Sequence, residues 1–209
     1  MDYIIPPKEE IIDGRFYGKH FQIRFDCDDL NYYIKDLGHG FGTFIKITNW
    51  TEIKNKFLIN IGENYIVFTL GLEEDGNETK ESMNNNNNNN INNNINNNIS
   101  NTSNLLNIKV FYGLPNHDIL TFSPEKSPFH IGRSEECEIV LNDNMLSRIH
   151  CSIEFKNNVW FINDGYENGG EIIKSTNGTW MYPDFDIKIE DKMVFKSNRN
   201  LFFCSFEEN

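Results

Sequence analysis

The chain is divided into many short runs of alternating apolar and polar residues, separated by residues typical of turns. Alternation with a period of two predicts β-strands. Many short strands at this spacing predict a sandwich or a barrel and argue against a βαβ scheme. Lys156-Asn157-Asn158 and Gly62-Glu63-Asn64 predict hairpin turns between neighbouring runs. The runs cover residues 20–25, 32–35, 44–47, 57–61 and 65–70 in the first half, and residues 108–112, 119–122, 129–131, 138–141, 149–155, 159–162, 179–182, 187–189, 193–196 and 201–206 in the second half.

An asparagine-rich tract separates the two series of predicted strands. It contains Asn84 to Asn90 without interruption and then three isolated isoleucines among further asparagines. Three isoleucines cannot bury enough apolar surface to offset the entropy lost on ordering so polar a segment. We therefore expect a first β unit at residues 1–74, a disordered linker at residues 75–104 and a β domain at residues 105–209.

Charge and cysteine content restrict the class of function. The formal net charge is −12 over 209 residues. General nucleic-acid binding needs a basic surface, and an acidic surface repels anionic lipid, so we expect neither nucleic acid nor a membrane as a partner. The four cysteines form no Cys-x-x-Cys pair, and no histidine lies at zinc-ligand spacing from them. The first residues do not have the pattern of a signal peptide and no apolar run reaches membrane length, so we expect neither a signal peptide nor a membrane span. We expect an intracellular protein, cytoplasmic or nuclear, with reduced cysteines and without a metal or other cofactor.

Three groups of polar residues lie at the ends of predicted strands in the second half: Gly132-Arg133, residues 147–150 and residues 175–179. They place an arginine, several hydroxyls and a carboxamide in loops, where recognition residues usually lie. This donor set suits a phosphorylated side chain and its flanking backbone, and it contains no nucleophile–base pair. The sequence also contains no P-loop motif and no His-Glu-x-x-His motif. We predict a binder of phosphorylated protein and not an enzyme.

The ordered set Gly132-Arg133, Ser147-x-x-His150 and Asn177-Gly178-Thr179, with the strands between its members, resembles the forkhead-associated (FHA) domain. The resemblance covers about residues 107–207. It implies an all-β sandwich of two twisted, mostly antiparallel sheets. It also implies that the protein is a signalling or adaptor module without catalytic activity. Its partner would be a phosphothreonine-containing protein or peptide.

The resemblance also assigns roles to individual residues. It implies that Arg133, Ser147 and Thr176 bind the phosphate and that Asn177 holds the main chain of the ligand. Arg148 either adds charge near the anion or faces solvent. For Arg133, the competing interpretation is a surface arginine paired with a neighbouring glutamate.

Four residues are expected to support the site without binding the ligand. The resemblance implies that His150 braces the binding loops. Gly132 lets the backbone leave a strand without a Cβ clash. Gly178 forms a turn with the preceding asparagine, and Thr179 supports that turn. Residues 165–175 form a longer connection than many family members have, and its glycines predict a flexible excursion beside the site.

The first half resembles the later part of the same domain, over residues 33–38 and 42–45 and the preceding segment around His20. Tyr17 stands where the family has serine, and Phe41 stands where it has asparagine. We expect a degenerate or partial FHA-like β unit that has lost its phosphate-binding groups and packs with the second unit. The alternative function is a structural or scaffold protein in which phosphopeptide binding is lost.

Overall fold

The computed structural model describes residues 19–71, 104–111 and 117–207. Within these ranges the chain is nearly all β, with eighteen strands, one turn of 3-10 helix at Pro124–Lys126 and no α-helix. The predicted all-β class with mostly antiparallel sheets is therefore confirmed. No helix in the described ranges has the length and apolar character that a membrane crossing requires.

Each run predicted from alternation corresponds to a strand, and the pattern did not predict β4, β13 or β14. Asn157 and Asn158 have positive φ angles of 52° and 63° between β11 and β12, which confirms the predicted hairpin turn. The strands are β1 (Phe21–Asp26), β2 (Asn31–Asp36), β3 (Thr43–Lys46), β4 (Thr51–Glu52), β5 (Phe57–Ile61), β6 (Asn64–Leu70), β7 (Leu106–Phe111), β8 (His117–Phe122), β9 (Phe129–Gly132), β10 (Ile139–Val140), β11 (Cys151–Lys156), β12 (Val159–Asp164), β13 (Tyr166–Asn168), β14 (Glu171–Ile173), β15 (Trp180–Met181), β16 (Ile187–Lys188), β17 (Val194–Ser197) and β18 (Asn200–Phe203).

Residues 47–179 form one compact unit, here named the central unit. One of its sheets has the strand order β10-β9-β11-β12-β4, and in another β5, β6, β7 and β8 are antiparallel neighbours. Phe122 of β8 and Phe129 of β9 stack with ring centroids 4.1 Å apart, which joins the two sheets. Both sheets contribute fully buried side chains to the core, among them Ile59, Ile66, Phe68, Ile108, Val110, Ile131, Ile153 and Ile162.

The central unit includes a hairpin from the first half of the sequence. The hairpin β5–β6 pairs with the second-half strand β7, with Leu70 opposite Leu106. The Gly71 N–H also donates to the Leu105 carbonyl oxygen, with an N···O distance of 2.9 Å. Because β6 and β7 share a ladder of hydrogen bonds, the hairpin completes a sheet that the second half begins.

This grouping differs from the predicted division at residues 74 and 105, since the antiparallel pairing joins residues 47–71 to residues 104–179 in one unit. The predicted boundaries and the predicted linker at residues 75–104 stay predictions, because residues 72–103 lie outside the described ranges.

The described part of the second compact unit, here named the terminal unit, consists of residues 19–46 and 180–207. Its strands are ordered β1-β2-β16 in one sheet, and β18, β17, β3 and β15 are neighbours in another. The core contains Ile34, Ile45, Ile189 and Phe195. Each unit therefore has a buried apolar cluster of its own.

Candidate phosphate-binding site

Two loops of the central unit meet directly after β9. The Arg133 N–H donates to the Ser147 carbonyl oxygen at 3.2 Å, and the Ser134 N–H donates to the Arg148 carbonyl oxygen at 3.1 Å. A Cβ on Gly132 would overlap that Arg148 oxygen and would lie 2.9 Å from its carbonyl carbon. Gly132 is therefore required because the two backbones approach closely. The sequence predicts that glycine avoids a Cβ clash where the chain leaves the strand, and the structure places that clash at the Arg148 carbonyl group.

Two hydroxyl side chains join the second loop to the third. The Thr176 N–H donates to Ser147 Oγ at 3.0 Å, and Ser147 Oγ donates to Thr176 Oγ1 at 3.4 Å. Ser147 is half-buried and Thr176 is exposed. Because a hydroxyl can accept and donate at the same time, the Thr176 hydroxyl retains a proton that it can donate to an anion.

His150 ties both loops to the sheet. Its side chain is fully buried, its Nδ1 accepts a hydrogen bond from the Ser147 N–H at 3.2 Å, and its Nε2 lies 3.1 Å from the Gly178 carbonyl oxygen. These two contacts require a neutral ring with the proton on Nε2. Burial lowers the pKa of His150, which also favours the neutral form. The geometry agrees with a bracing role, since both ring nitrogens are bonded to backbone groups.

A buried carboxylate fixes the turn that carries Asn177. Asp164 Oδ1 accepts hydrogen bonds from Ser175 Oγ at 2.6 Å and from Thr179 Oγ1 at 2.9 Å. Ser175 Oγ in turn accepts from the Gly178 N–H at 2.9 Å. Gly178 has a φ of +80°, a left-handed conformation that favours glycine.

The sequence did not predict the roles of Asp164 and Ser175. Asp164 is 1% exposed, and its second oxygen has no hydrogen-bond partner among the residues that the structure describes. The available signal was an aspartate at the end of a strand, eleven residues before a serine. That signal is too common in β proteins to identify a buried network.

Asn177 connects the third loop back to the second. Its amide nitrogen Nδ2 donates to the Met145 carbonyl oxygen at 2.7 Å, and the side chain is exposed. The segments that carry Arg133, Ser147, Thr176 and Asn177 are thus joined by direct hydrogen bonds.

Residues 129–194 match the model of the FHA domain family. This part of the chain is an FHA domain. FHA domains are non-catalytic protein-interaction modules that bind phosphothreonine. The comparison with curated proteins and the comparison with solved structures gave no match. The resemblance of the second half to this family, and its β-sandwich fold, are confirmed.

The two arginines at the loops of the FHA domain are exposed. Within the described part of the chain, neither Arg133 nor Arg148 makes a side-chain hydrogen bond or an ion pair. The pairing of Arg133 with a neighbouring glutamate is therefore not formed. In the same ranges no group of three or more His, Cys, Asp or Glu residues is placed to hold a metal ion.

The segment beside the site is a small hairpin. Strands β13 and β14 pair across Gly169 and Gly170, whose φ angles are +62° and +87°. After the hairpin, Lys174 Nζ donates to the Thr48 carbonyl oxygen at 2.7 Å and to Asn163 Oδ1 at 3.2 Å. Strands β13 and β14 and the bonds of Lys174 give residues 165–175 a defined conformation, in contrast to the flexible excursion that the glycines predict.

The family match does not include the first half, so its assignment as a degenerate FHA-like unit stays a prediction. One local similarity supports it. The His20 carbonyl oxygen accepts from the Leu37 N–H at 2.9 Å, as that of His150 accepts from the Gly165 N–H at 2.8 Å. Phe41, predicted to replace the family's asparagine, is 58% exposed. Tyr17 lies outside the described residues.

Proposed function

We propose that this protein is a phosphothreonine-dependent adaptor or signalling module without catalytic activity. Arg133, Ser147 and Thr176 bind the phosphate, Asn177 holds the ligand main chain, and Arg148 adds positive charge. The observation that carries the proposal is the pair of hydrogen bonds between Ser147 and Thr176. It brings two hydroxyl groups from distant segments to one place, on a loop that is bonded to the Arg133 backbone.

The donor set matches the chemistry of a phosphate dianion. A guanidinium donates two parallel hydrogen bonds to phosphate oxygens, which the point charge of a lysine cannot reproduce. The hydroxyl donors add shorter-range hydrogen bonds. Because the loops are already joined before ligand binding, little ordering entropy is lost on association. Because the guanidinium and the phosphate are oppositely charged, binding should weaken as the salt concentration rises.

The buried position of His150 supports the absence of catalysis in this proposal. A histidine that acts as a general base needs an accessible ring nitrogen with a reacting proton within hydrogen-bond reach. The His150 ring is fully buried, and both nitrogens face backbone groups. This histidine supports the loops and does not transfer protons.

The experiment that tests the function is selection of the full chain on a degenerate phosphothreonine peptide library, followed by calorimetry with a selected peptide. The same peptide is also measured without phosphate and with phosphoserine. Arg133→Ala should weaken binding by about 10- to 100-fold, the worth of about one charge-assisted hydrogen bond. Arg199→Ala removes an equal charge from an exposed arginine outside the site and should leave the affinity nearly unchanged.

The alternative is a scaffold protein whose phosphopeptide binding is lost, and the exposed Phe41 in the first half favours it. On that alternative, the library returns no peptide whose binding requires phosphate. Equal affinities of the Arg133→Ala and Arg199→Ala variants would reject the proposed site even if a phosphopeptide binds elsewhere.

A further inference from the structure

A turn from the first half of the chain contacts the loop that carries Ser147. The turn joins β5 to β6 and consists of residues 62–64. Asp143 Oδ2 accepts hydrogen bonds from the Glu63 N–H and from Asn64 Nδ2, each at 2.8 Å. Asn64 is 6% exposed, so this contact is largely shielded from water. Both partners belong to the central unit.

The turn lies so close to the loop that it has no room for a side chain at Gly62. A Cβ there would overlap the Asp143 carboxylate and would lie 3.2 Å from Leu146 Cδ2. Gly62 also has a φ of +55°, which disfavours other residues. The hydrogen bonds and this close packing both hold the turn at residues 62–64 against the loop at residues 143–146.

The Asp143 carboxylate continues the connection into the recognition loops. Its Oδ1 accepts from the Met145 N–H at 2.8 Å, and the Asp143 carbonyl oxygen accepts from the Leu146 N–H at 3.1 Å. The Met145 carbonyl oxygen accepts from Asn177 Nδ2 at 2.7 Å. One carboxylate with three donors thus links the turn at 62–64 to the loop before Ser147, and through Met145 to Asn177.

We propose that the turn at residues 62–64 orders the recognition loop of the FHA domain, and that Asn64 and Asp143 are positioning residues for phosphopeptide binding. The effect on affinity rests on the proposed function, whereas the effect on loop order does not. The family match begins at residue 129, so the hairpin that supplies this turn lies outside it. A loop that is not held must be ordered when the ligand binds, and that entropy is subtracted from the affinity.

The test compares two buried asparagines in the full chain, Asn64 at one end of β6 and Asn107 on the neighbouring strand β7 beside the other end of β6. Asn107 is opposite Thr69 near the other end. Five residues of strand separate Asn64 from Thr69, a distance of about 17 Å. Asn64 Nδ2 donates to Asp143 Oδ2 and to the Ile61 carbonyl oxygen, and Asn107, which is 5% exposed, likewise makes two side-chain hydrogen bonds, to the Gly71 carbonyl oxygen and from Thr121 Oγ1. Asn64→Ala and Asn107→Ala therefore remove comparable buried contacts from the same sheet.

Amide hydrogen exchange of the ligand-free variants, measured by NMR, reports loop order. In Asn64→Ala, protection of the Met145 amide should fall about tenfold relative to the unsubstituted chain, as expected for the loss of about one hydrogen bond. In Asn107→Ala, protection of the Met145 amide should change less than about twofold, although both variants should melt at a lower temperature than the unsubstituted chain. Equal loss of protection in the two variants would show a general loss of stability and overturn the proposal, as would unchanged protection in Asn64→Ala.

Affinity for the selected phosphothreonine peptide gives the second readout. Asn64→Asp places a second carboxylate against Asp143 and should raise Kd by at least about tenfold. Adding Asp143→Asn restores an amide–carboxylate pair with the roles exchanged and should recover part of that loss. A double variant no better than Asn64→Asp would overturn the pairing. If the unsubstituted chain binds no phosphopeptide, the proposed function fails, and hydrogen exchange alone decides whether the turn orders the loop.

Discussion

Replacing Gly132 with alanine tests whether the close approach of two backbones builds the recognition site. The added Cβ would lie 2.9 Å from the Arg148 carbonyl carbon, whereas carbon atoms in contact are ordinarily about 3.5–4.0 Å apart. The loops must therefore separate by about 1 Å. Such a shift breaks the hydrogen bond from Arg133 to Ser147, already 3.2 Å long, and the neighbouring bond from Ser134.

The expected destabilisation combines overpacking of about 1–3 kcal/mol with two lost hydrogen bonds of about 0.5–1.5 kcal/mol each. Urea denaturation should thus show a loss of about 2–6 kcal/mol in the free energy of unfolding, and calorimetry should show weaker phosphopeptide binding. Gly169→Ala is the matched control, because Gly169 has a φ of +62° with no atom near its Cβ position. That control should lose only about 1–2 kcal/mol, the cost of the left-handed conformation. Equal losses in the two variants would refute the close-approach explanation.

Two further predictions concern buried polar groups of the same site. Because burial lowers the pKa of His150, the unfolded chain binds a proton that the folded chain does not, so stability should fall as pH decreases below about 6.5, by up to about 1.4 kcal/mol per pH unit. Urea titrations at stepped pH should show that His150→Gln loses this part of the slope, and an identical slope would contradict the assignment. Asp164→Ala leaves the buried hydroxyls of Ser175 and Thr179 without an acceptor and should cost about 2–4 kcal/mol in chemical denaturation. Asp164→Asn keeps one acceptor oxygen and should cost less, so equal costs would argue against the network.

The strands could be predicted because their signal is local. Alternation located β5 at its observed bounds, and the Asn157-Asn158 pair supplied the positive φ angles of the β11–β12 turn. The two-residue strand β4 has no such pattern, since its pairing with β12 defines it. The pairing of β6 with β7 was also not predictable, because many strands in this chain alternate in the same way and tertiary packing selects the partner.

The candidate site was predictable where the family resemblance carries it and not where long-range contacts build it. The predicted strand at residues 138–141 ends shortly before Asp143, and its alternation does not indicate the bond to Glu63, which lies 80 positions earlier. Asp164 directly precedes the connection at residues 165–175, and the pattern does not indicate its bonds to Ser175 and Thr179 either. Both act through side chains that are distant in sequence, and a periodic pattern contains no information about such partners.

The pairing of β6 with β7 has a consequence for how this sequence can evolve. Gly71 and Leu105 are bonded neighbours, so the sheet holds both ends of the asparagine-rich segment next to each other. The entropy of closing a loop grows with the logarithm of its length, so doubling the length costs only about 0.6 kcal/mol. For the disordered linker that the sequence predicts, gain or loss of asparagines between these two points should therefore be nearly neutral for folding.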